Sequence, residues 1–194
     1  RLVPITTGDR IAQLENRRIN YIASGFINNE KNTERFLLST PYLRDALVVV
    51  VLHSFDGTVT FGQFSDLQNK RIGILSDEEM REVVMKSPLY INNGRRPYLY
   101  PRQENMLNAL DCEQIEAVVM NLLTYYSKIT IEKKLYRAVG EPIIITTYSY
   151  AFRKDDKALA ETIDSFLTDM ARDGTLRAIS TKWFGADVSI VGKF

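Results

Sequence analysis

The chain has 194 residues, of which 45% are hydrophobic, 25% charged and 10% aromatic, a composition typical of a globular protein rather than a disordered or fibrous one. Lysine and arginine number 25 against 24 acidic residues, so a net charge of +1 argues against nucleic-acid binding as the main function. The longest strongly apolar run, residues 46–52, is far shorter than the ~20 residues that a membrane-spanning helix needs.

Reactive side chains are scarce in this sequence. Cys112 is the only cysteine, which excludes an internal disulfide and a cysteine-based metal cluster. His53 is the only histidine and directly follows an apolar run, a position typical of a packing or surface residue. We therefore predict no catalytic residue, no metal and no cofactor.

Apolar segments rich in Val and Ile alternate with amphipathic ones along the chain. Strands are predicted at residues 2–6, 19–24, 46–52, 71–75, 115–120 and 143–152. Helices are predicted at 8–17, 78–86 and 104–110 and from residue 122 onward, and the Pro- and Gly-containing stretch 88–97 is predicted as a loop. Strands that alternate with helices indicate an α/β fold with a parallel sheet.

Two helices in tandem are predicted near the end of the chain. In residues 157–172 the apolar side chains repeat at helical spacing, and Gly174 supplies a stop signal. A second helical stretch begins at Thr175 and is ended by Gly185.

The two long apolar strands, 46–52 and 143–152, flank a middle block that has its own strands and helices. This order predicts a two-lobed protein with two crossover strands. Residues 1–49 and 148–194 would form lobe 1 and residues 50–147 lobe 2, with a ligand cleft at the carboxyl ends of the strands.

Several short motifs occur along the chain in an order and at a spacing that resemble those of a known protein family. They are Thr-Thr-Gly-Asp-Arg-Ile (6–11), Ile-Ala-Ser-Gly (22–25), Ser-Thr-Pro-Tyr (39–42), Phe-Ser-Asp-Leu-Gln-Asn-Lys-Arg-Ile-Gly (64–73), Asp-Gly-Thr-Leu (173–176) and Lys-Trp-Phe-Gly (182–185). Together they cover essentially the whole chain, which resembles the family-3 bacterial extracellular solute-binding proteins. The resemblance implies the type II periplasmic-binding-protein fold.

The same resemblance implies an incomplete first lobe. Family members begin with a strand, an aromatic loop and a helix before the segment matched by residues 2–6. We expect such a segment in the native protein, lost, cut or left out of this chain, because its absence would expose backbone groups and apolar surface.

The resemblance also identifies candidate ligand-binding positions. It places Ser24, Gly25 and Phe26 in the binding segment of lobe 1. The arginine that clamps the ligand α-carboxylate in amino-acid binders is Asn32 here, and the hydroxyl residue two positions after Gly25 is Ile27. Loss of one partner of a buried charge pair costs about 2–5 kcal/mol, so the usual pose of a free amino acid is in doubt.

Lobe 2 departs from the family pattern as well. Acidic residues, Asp77, Glu78 and Glu79, replace the Gly-Thr that offers backbone N–H groups to the carboxylate. Asn121 replaces the acidic residue that receives the ligand amino group. An ordinary capped helix start is the alternative explanation of the acidic group, and a turn or helix-start role that of both asparagines.

Two further residues are candidates for ligand contact. Arg10 opens the first predicted helix and would supply the positive charge that Asn32 lacks, unless it is an ordinary surface arginine. Tyr148 lies in the returning crossover strand, where family members approach the ligand, although most such tyrosines are packing residues.

The leading functional prediction is the solute receptor of an ABC-type transporter. It would capture a small polar, amino-acid-like solute by closing two lobes, as a monomer, and its closed form would be recognised by membrane permease subunits. A periplasmic or membrane-anchored extracellular location is expected.

The alternatives are a ligand-sensing or degenerate domain of a signalling receptor, and an enzyme similar to cyclohexadienyl dehydratase. The enzyme would use Glu79 or Asp77 as acid or base.

Overall fold

The computed structural model describes residues 2–6, 8–53 and 61–190, apart from the side chains of Glu79 and Asn92. Eight α-helices and seven strands occur in that part of the chain, together with a short 3₁₀ helix at Phe64–Leu67. In chain order they are α1 (Arg10–Glu15), β1 (Ile22–Ile27), α2 (Glu30–Arg35), β2 (Leu37–Leu38), β3 (Leu43–Leu52), β4 (Ile72–Leu75), α3 (Glu78–Met85), α4 (Pro88–Asn93), β5 (Tyr98–Tyr100), α5 (Gln103–Asp111), β6 (Ala117–Asn121), α6 (Leu122–Thr130), β7 (Tyr136–Phe152), α7 (Lys157–Arg172) and α8 (Thr175–Phe184).

The chain divides into two compact units. Unit 1 contains Arg1–Asp45, Thr146–Lys182 and Ala186–Phe194, and unit 2 contains Ala46–Ile145 and Trp183–Gly185. Strands β3 and β7 each contribute residues to both units, so the chain passes from one unit to the other within these two strands.

Unit 1 is built around the last residues of β7. Strand β1 pairs with β7 antiparallel, with Phe26 opposite Ser149 and Ile27 opposite Tyr148, and β2 also pairs with β7 antiparallel. The buried side chains come from α1, β1, β7 and the residue that follows α2; they are Leu14, Ile22, Phe26, Phe36 and Ala151. Apolar side chains at both ends of β1 thus anchor the strand that carries Ser24 and Gly25.

Unit 2 contains a sheet with the strand order β7-β3-β6-β4-β5. Successive residues of β3 point to opposite faces, and both faces are buried, one by α5 and the other by α3. A strand covered on both sides must be apolar at every position, which explains the uninterrupted run from Ala46 to Val51.

The sheet is mixed, so the prediction of a parallel sheet is wrong in part. Strand β4 pairs in parallel with β5 and β6, whereas β3 pairs antiparallel with β6. The alternation of strands and helices does not reveal strand direction, and β3 runs opposite to its neighbour β6.

Among the other predicted elements, one helix and the α/β class are confirmed, and one strand and one loop are wrong. The helix at 157–172 is confirmed by α7, and the α/β class is confirmed by the mixed sheet. The strand at 2–6 is wrong: Leu2 is 89% exposed, and none of the described residues pairs with this segment in a sheet. The loop at 88–97 instead contains α4, because Pro88 stands at the start of the helix, where its missing N–H does no harm.

Membrane-spanning helices do not occur in the described ranges, because no helix there is both long and apolar enough.

We expect Glu116→Gln to destabilise the protein by about 1 kcal/mol at pH 7. Arg71 donates to the Glu116 carboxylate from Nε at 3.0 Å and from Nη2 at 2.6 Å, and its backbone N–H donates at 2.7 Å. These hydrogen bonds hold the pKa of Glu116 below its ordinary value. The stabilisation is therefore present above the unfolded pKa of about 4.3 and is lost as the pH falls through the lower folded value.

Urea unfolding at pH 7 and pH 3 measures this loss, and the difference between variant and wild type should shrink at pH 3. Glu82→Gln is the matched control, since its ion pair with Lys86 has a carboxylate 66% exposed against 27% for Glu116. An equal destabilisation by both substitutions at pH 7 would contradict the assignment.

Candidate functional site

Arg10 reaches from the first turn of α1 onto β1. Its Nη1 donates to Ser24 Oγ at 3.2 Å and to the Gly25 carbonyl at 3.2 Å. The guanidinium carbon lies 5.0 Å from the centre of the Phe26 ring, a distance typical of a cation–π contact. Helix α1 begins here because the backbone N–H groups of Asp9 and Arg10 both donate to Thr6 O. The guanidinium of Arg10 is thereby held against β1.

Tyr148 covers the next part of the same strand. The pairing of β1 with β7 places Tyr148 opposite Ile27, and its ring lies over Gly25. A Cβ atom at position 25 would lie 3.2 Å from the ring atoms Cγ and Cδ1, so a larger residue fits there only if the ring shifts by a few tenths of an ångström. The ring and the guanidinium of Arg10 thus both adjoin Gly25, and we call Arg10, Ser24, Gly25, Phe26 and Tyr148 the Arg10 cluster.

The hydroxyl of Tyr148 donates to Asp45 Oδ2 at 2.9 Å. Burial of the phenol, and then the charge and hydrogen bond of Asp45, raise the pKa of Tyr148, while the positive charge of Arg10 lowers it. The hydroxyl therefore stays protonated at neutral pH and acts as a donor. Asp45 is not among the residues predicted from the sequence, although its position immediately before a long apolar run is a signal for a buried acidic residue.

A cavity of about 610 Å³ adjoins the Arg10 cluster in unit 1. Arg10 and Ser24 belong to its lining, and the apolar part of that lining includes Leu2, Val3, Ile5, Ile19 and Ile22. Two of the predicted site residues therefore border open space of a size suited to a small solute.

Asn32 serves the local structure at the end of β1. Its backbone N–H donates to Asn29 Oδ1 at 2.9 Å, which caps α2, and its side-chain Nδ2 donates to the Ile27 carbonyl at 2.8 Å. The turn or helix-start role is thus observed for this residue. Its side chain ties α2 to the end of β1 and carries no charge.

The predicted residues of the middle block lie in unit 2. Asp77 caps α3 by accepting a hydrogen bond from the Met80 N–H at 2.8 Å, and Asn121 stands at the N-terminal cap position of α6. Because β4 and β6 are parallel neighbours, Asp77, which follows β4, and Asn121, the last residue of β6, lie at the same edge of the sheet. The side chain of Glu79 lies outside the described part of the structure.

The structure thus brings together Arg10, Ser24, Gly25, Phe26 and Tyr148, and it joins Asn32 to the end of the same strand. Within the described residues, no three or more His, Cys, Asp or Glu side chains form a group suited to a metal ion. The cluster offers a fixed cation, an aromatic wall and a hydroxyl, groups that bind a small anion or carboxylate.

Comparison with known proteins shows a match over almost the whole chain. The sequence model of the bacterial extracellular solute-binding proteins, family 3, matches residues 1–186. The L-cystine-binding protein TcyJ of Escherichia coli (strain K12) is 23% identical over 188 residues, which cover 97% of this chain and 68% of that protein.

Solved structures agree with the fold. The crystal structure of Tv2483 bound to L-arginine is 27% identical, has a TM-score of 0.69 and matches 98% of this chain and 76% of its own. The ancestral cationic amino acid solute-binding protein AncCDT-1 has a TM-score of 0.80 at 18% identity, with 94% of this chain and 76% of its own covered.

We expect Gly25→Ala to destabilise unit 1 by about 1–3 kcal/mol, because the added methyl group displaces the Tyr148 ring from its packed position. Thermal and urea unfolding measure the loss. Gly8→Ala is the matched control, since a Cβ there meets nothing within 4 Å and leaves the stability unchanged or slightly higher. Equal stability of Gly25→Ala and wild type would show that the ring does not rest on Gly25.

Proposed function

The chain belongs to the bacterial extracellular solute-binding proteins of family 3, and from this membership we propose that the Arg10 cluster binds the carboxylate of a free amino acid. The family consists of substrate-binding components of ABC-type transporters and not of enzymes. The observation that carries the proposal is the cation of Arg10, held against β1 by Ser24, Gly25 and Phe26.

Arg10 replaces the charge that the family pattern has at position 32. The amide of Asn32 donates to the Ile27 carbonyl, so it is engaged in holding α2 against β1. The described hydrogen bonds of Arg10 all start from Nη1, and a guanidinium has further N–H donors on Nη2 and Nε. Such a fork matches the two oxygens of a carboxylate.

The second lobe favours a ligand with a positive group. Asp77 and Glu78 stand exposed at the start of α3, where two carboxylates repel a second anion and attract a cation. Asp77, Glu79 and Asn121 remain the ligand-binding positions that the family resemblance predicts in this part of the chain. We therefore favour a basic amino acid, and L-arginine, bound by the relative Tv2483, is the first to test.

The same proposal includes the lobe boundaries, the partner, the oligomeric state and the location of the protein. We take residues 1–49 and 148–194 as one ligand-binding lobe and residues 50–147 as the other. The closed form delivers its solute to the membrane permease subunits of the transporter, and the protein acts as a monomer in the periplasm or anchored outside the cell membrane. Nucleic acid has no part in this function.

Titration calorimetry with L-arginine, L-cystine and agmatine tests the proposal. Agmatine is L-arginine without its carboxylate, so it isolates the interaction assigned to Arg10. We expect L-arginine to bind and agmatine to bind at least about thirtyfold more weakly, the lower bound for loss of one partner of a buried charge pair. Equal affinities for the two would refute carboxylate recognition.

Thermal unfolding gives an independent measure of binding. A ligand at one hundred times its dissociation constant stabilises the protein by about 2.7 kcal/mol. For a chain of this length such a gain raises the melting temperature by roughly 5–10 °C.

We expect Arg10→Ala to weaken L-arginine binding by a factor between about thirty and several thousand, because it removes the charged partner of the carboxylate. Arg10→Lys should retain part of the affinity, since a lysine keeps the charge but not the fork. Arg177→Ala, which removes an exposed positive charge from α8, is the matched control. An Arg10→Ala protein that binds as tightly as the control would refute the assignment of Arg10.

A further inference from the structure

We propose that Asp45 is a positioning residue that holds the Tyr148 ring over Gly25 and thereby raises the affinity of the Arg10 cluster for an amino acid. The inference rests on the proposed function, because it assigns a role within the same site. Asp45 itself does not touch the solute and acts through Tyr148.

The Tyr148 side chain is held at both ends. At the backbone, Tyr148 is paired with Ile27 of β1, and its carbonyl accepts a hydrogen bond from the Tyr42 N–H at 3.0 Å. At the other end, its hydroxyl donates to Asp45 Oδ2 at 2.9 Å. Between these two points the ring rests on Gly25, whose lack of a side chain lets it approach. The aromatic wall of the cluster is thus fixed before any solute arrives.

The burial of Asp45 indicates that its carboxylate has a specific use. Asp45 is only 2% exposed and is followed by the buried residues of β3. A buried carboxylate costs free energy unless it is hydrogen-bonded, and an asparagine or threonine would accept from a tyrosine with a smaller desolvation cost. An ionised acceptor makes a stronger and shorter hydrogen bond than a neutral one, which favours a single position of the phenol.

A fixed ring benefits the site because ordering a side chain on binding costs free energy. Each immobilised side chain costs an amount equivalent to about a two- to tenfold loss of affinity. In the wild type that ordering occurs during folding, through Asp45. Without the hydrogen bond, the ring has to be ordered when the amino acid binds beside Arg10.

A double-mutant cycle tests the proposal with L-arginine as the probe. Tyr148→Phe keeps the ring and removes the hydroxyl, and Asp45→Asn keeps the shape and removes the charge. Calorimetry should give a dissociation constant about two to ten times higher for each single variant, and no further loss for the double variant. This lack of additivity is the signature of two residues that act through one hydrogen bond.

Unit 2 supplies a matched control pair. The Tyr136 hydroxyl donates to Asp111 Oδ1 at 2.7 Å, which is the same kind of hydrogen bond as that between Tyr148 and Asp45, although Asp111 also accepts from Lys134 Nζ at 2.6 Å. Tyr136→Phe and Asp111→Asn should lower the melting temperature while they leave the dissociation constant for L-arginine within a factor of two. A structural effect alone would therefore change stability in both pairs but affinity in neither.

The outcomes separate the two proposals. If Arg10→Ala weakens binding while Tyr148→Phe and Asp45→Asn bind as the wild type does, the positioning role is overturned and the proposed function stands. Additive losses in the double variant also overturn it. If Arg10→Ala has no effect, or wild-type protein binds neither L-arginine nor L-cystine, the proposed function fails and the inference fails with it. Should Asp45→Asn not fold, an unchanged dissociation constant for Tyr148→Phe alone overturns the role.

Discussion

The antiparallel pairing of β1 with the last part of β7 is the contact on which the Arg10 cluster depends. Its register places Tyr148 opposite Ile27 and leaves Gly25 beneath the ring. A slip of one residue would turn every side chain of the strand to the other face and remove Tyr148 from the site. Phe26 of β1 is 2% exposed. The apolar core of unit 1 therefore secures the register of β1 against β7 that the polar site requires.

Tyr148 is influenced by one negative and one positive side chain, Asp45 and Arg10. Asp45 accepts the hydrogen bond of the phenol, and the positive charge of Arg10, on α1, acts on the same side chain in the opposite direction. Burial is the largest cause of the raised pKa of Tyr148, and the phenol therefore stays neutral and acts as a donor. The described hydrogen bonds of Arg10 go to Ser24 Oγ and the Gly25 carbonyl and not to a carboxylate, and this keeps the guanidinium suited to an external anion.

Unit 2 shows how topology places distant residues at one edge. Both faces of β3 are buried in the core, and its neighbour β6 runs parallel to β4. Parallel strands end on the same side, so Asp77 and Asn121 share an edge although a long stretch of chain separates them. One carboxylate oxygen of Asp77 accepts the hydrogen bond that caps α3, which is the ordinary role of an acidic residue at a helix start.

The sequence by itself determined the elements whose pattern is local: the amphipathic helix α7, the apolar run of β3 and the motifs that identify the family. It also pointed to Arg10 and Tyr148 as candidates, but not to their contacts with Gly25. Only the tertiary structure decided the mixed strand directions, the engagement of Asn32 with Ile27 and the pairing of Asp45 with Tyr148. The reason is that periodicity reports on neighbours a few residues apart, whereas Asp45 and Tyr148 are 103 residues apart and meet only through the register of β7.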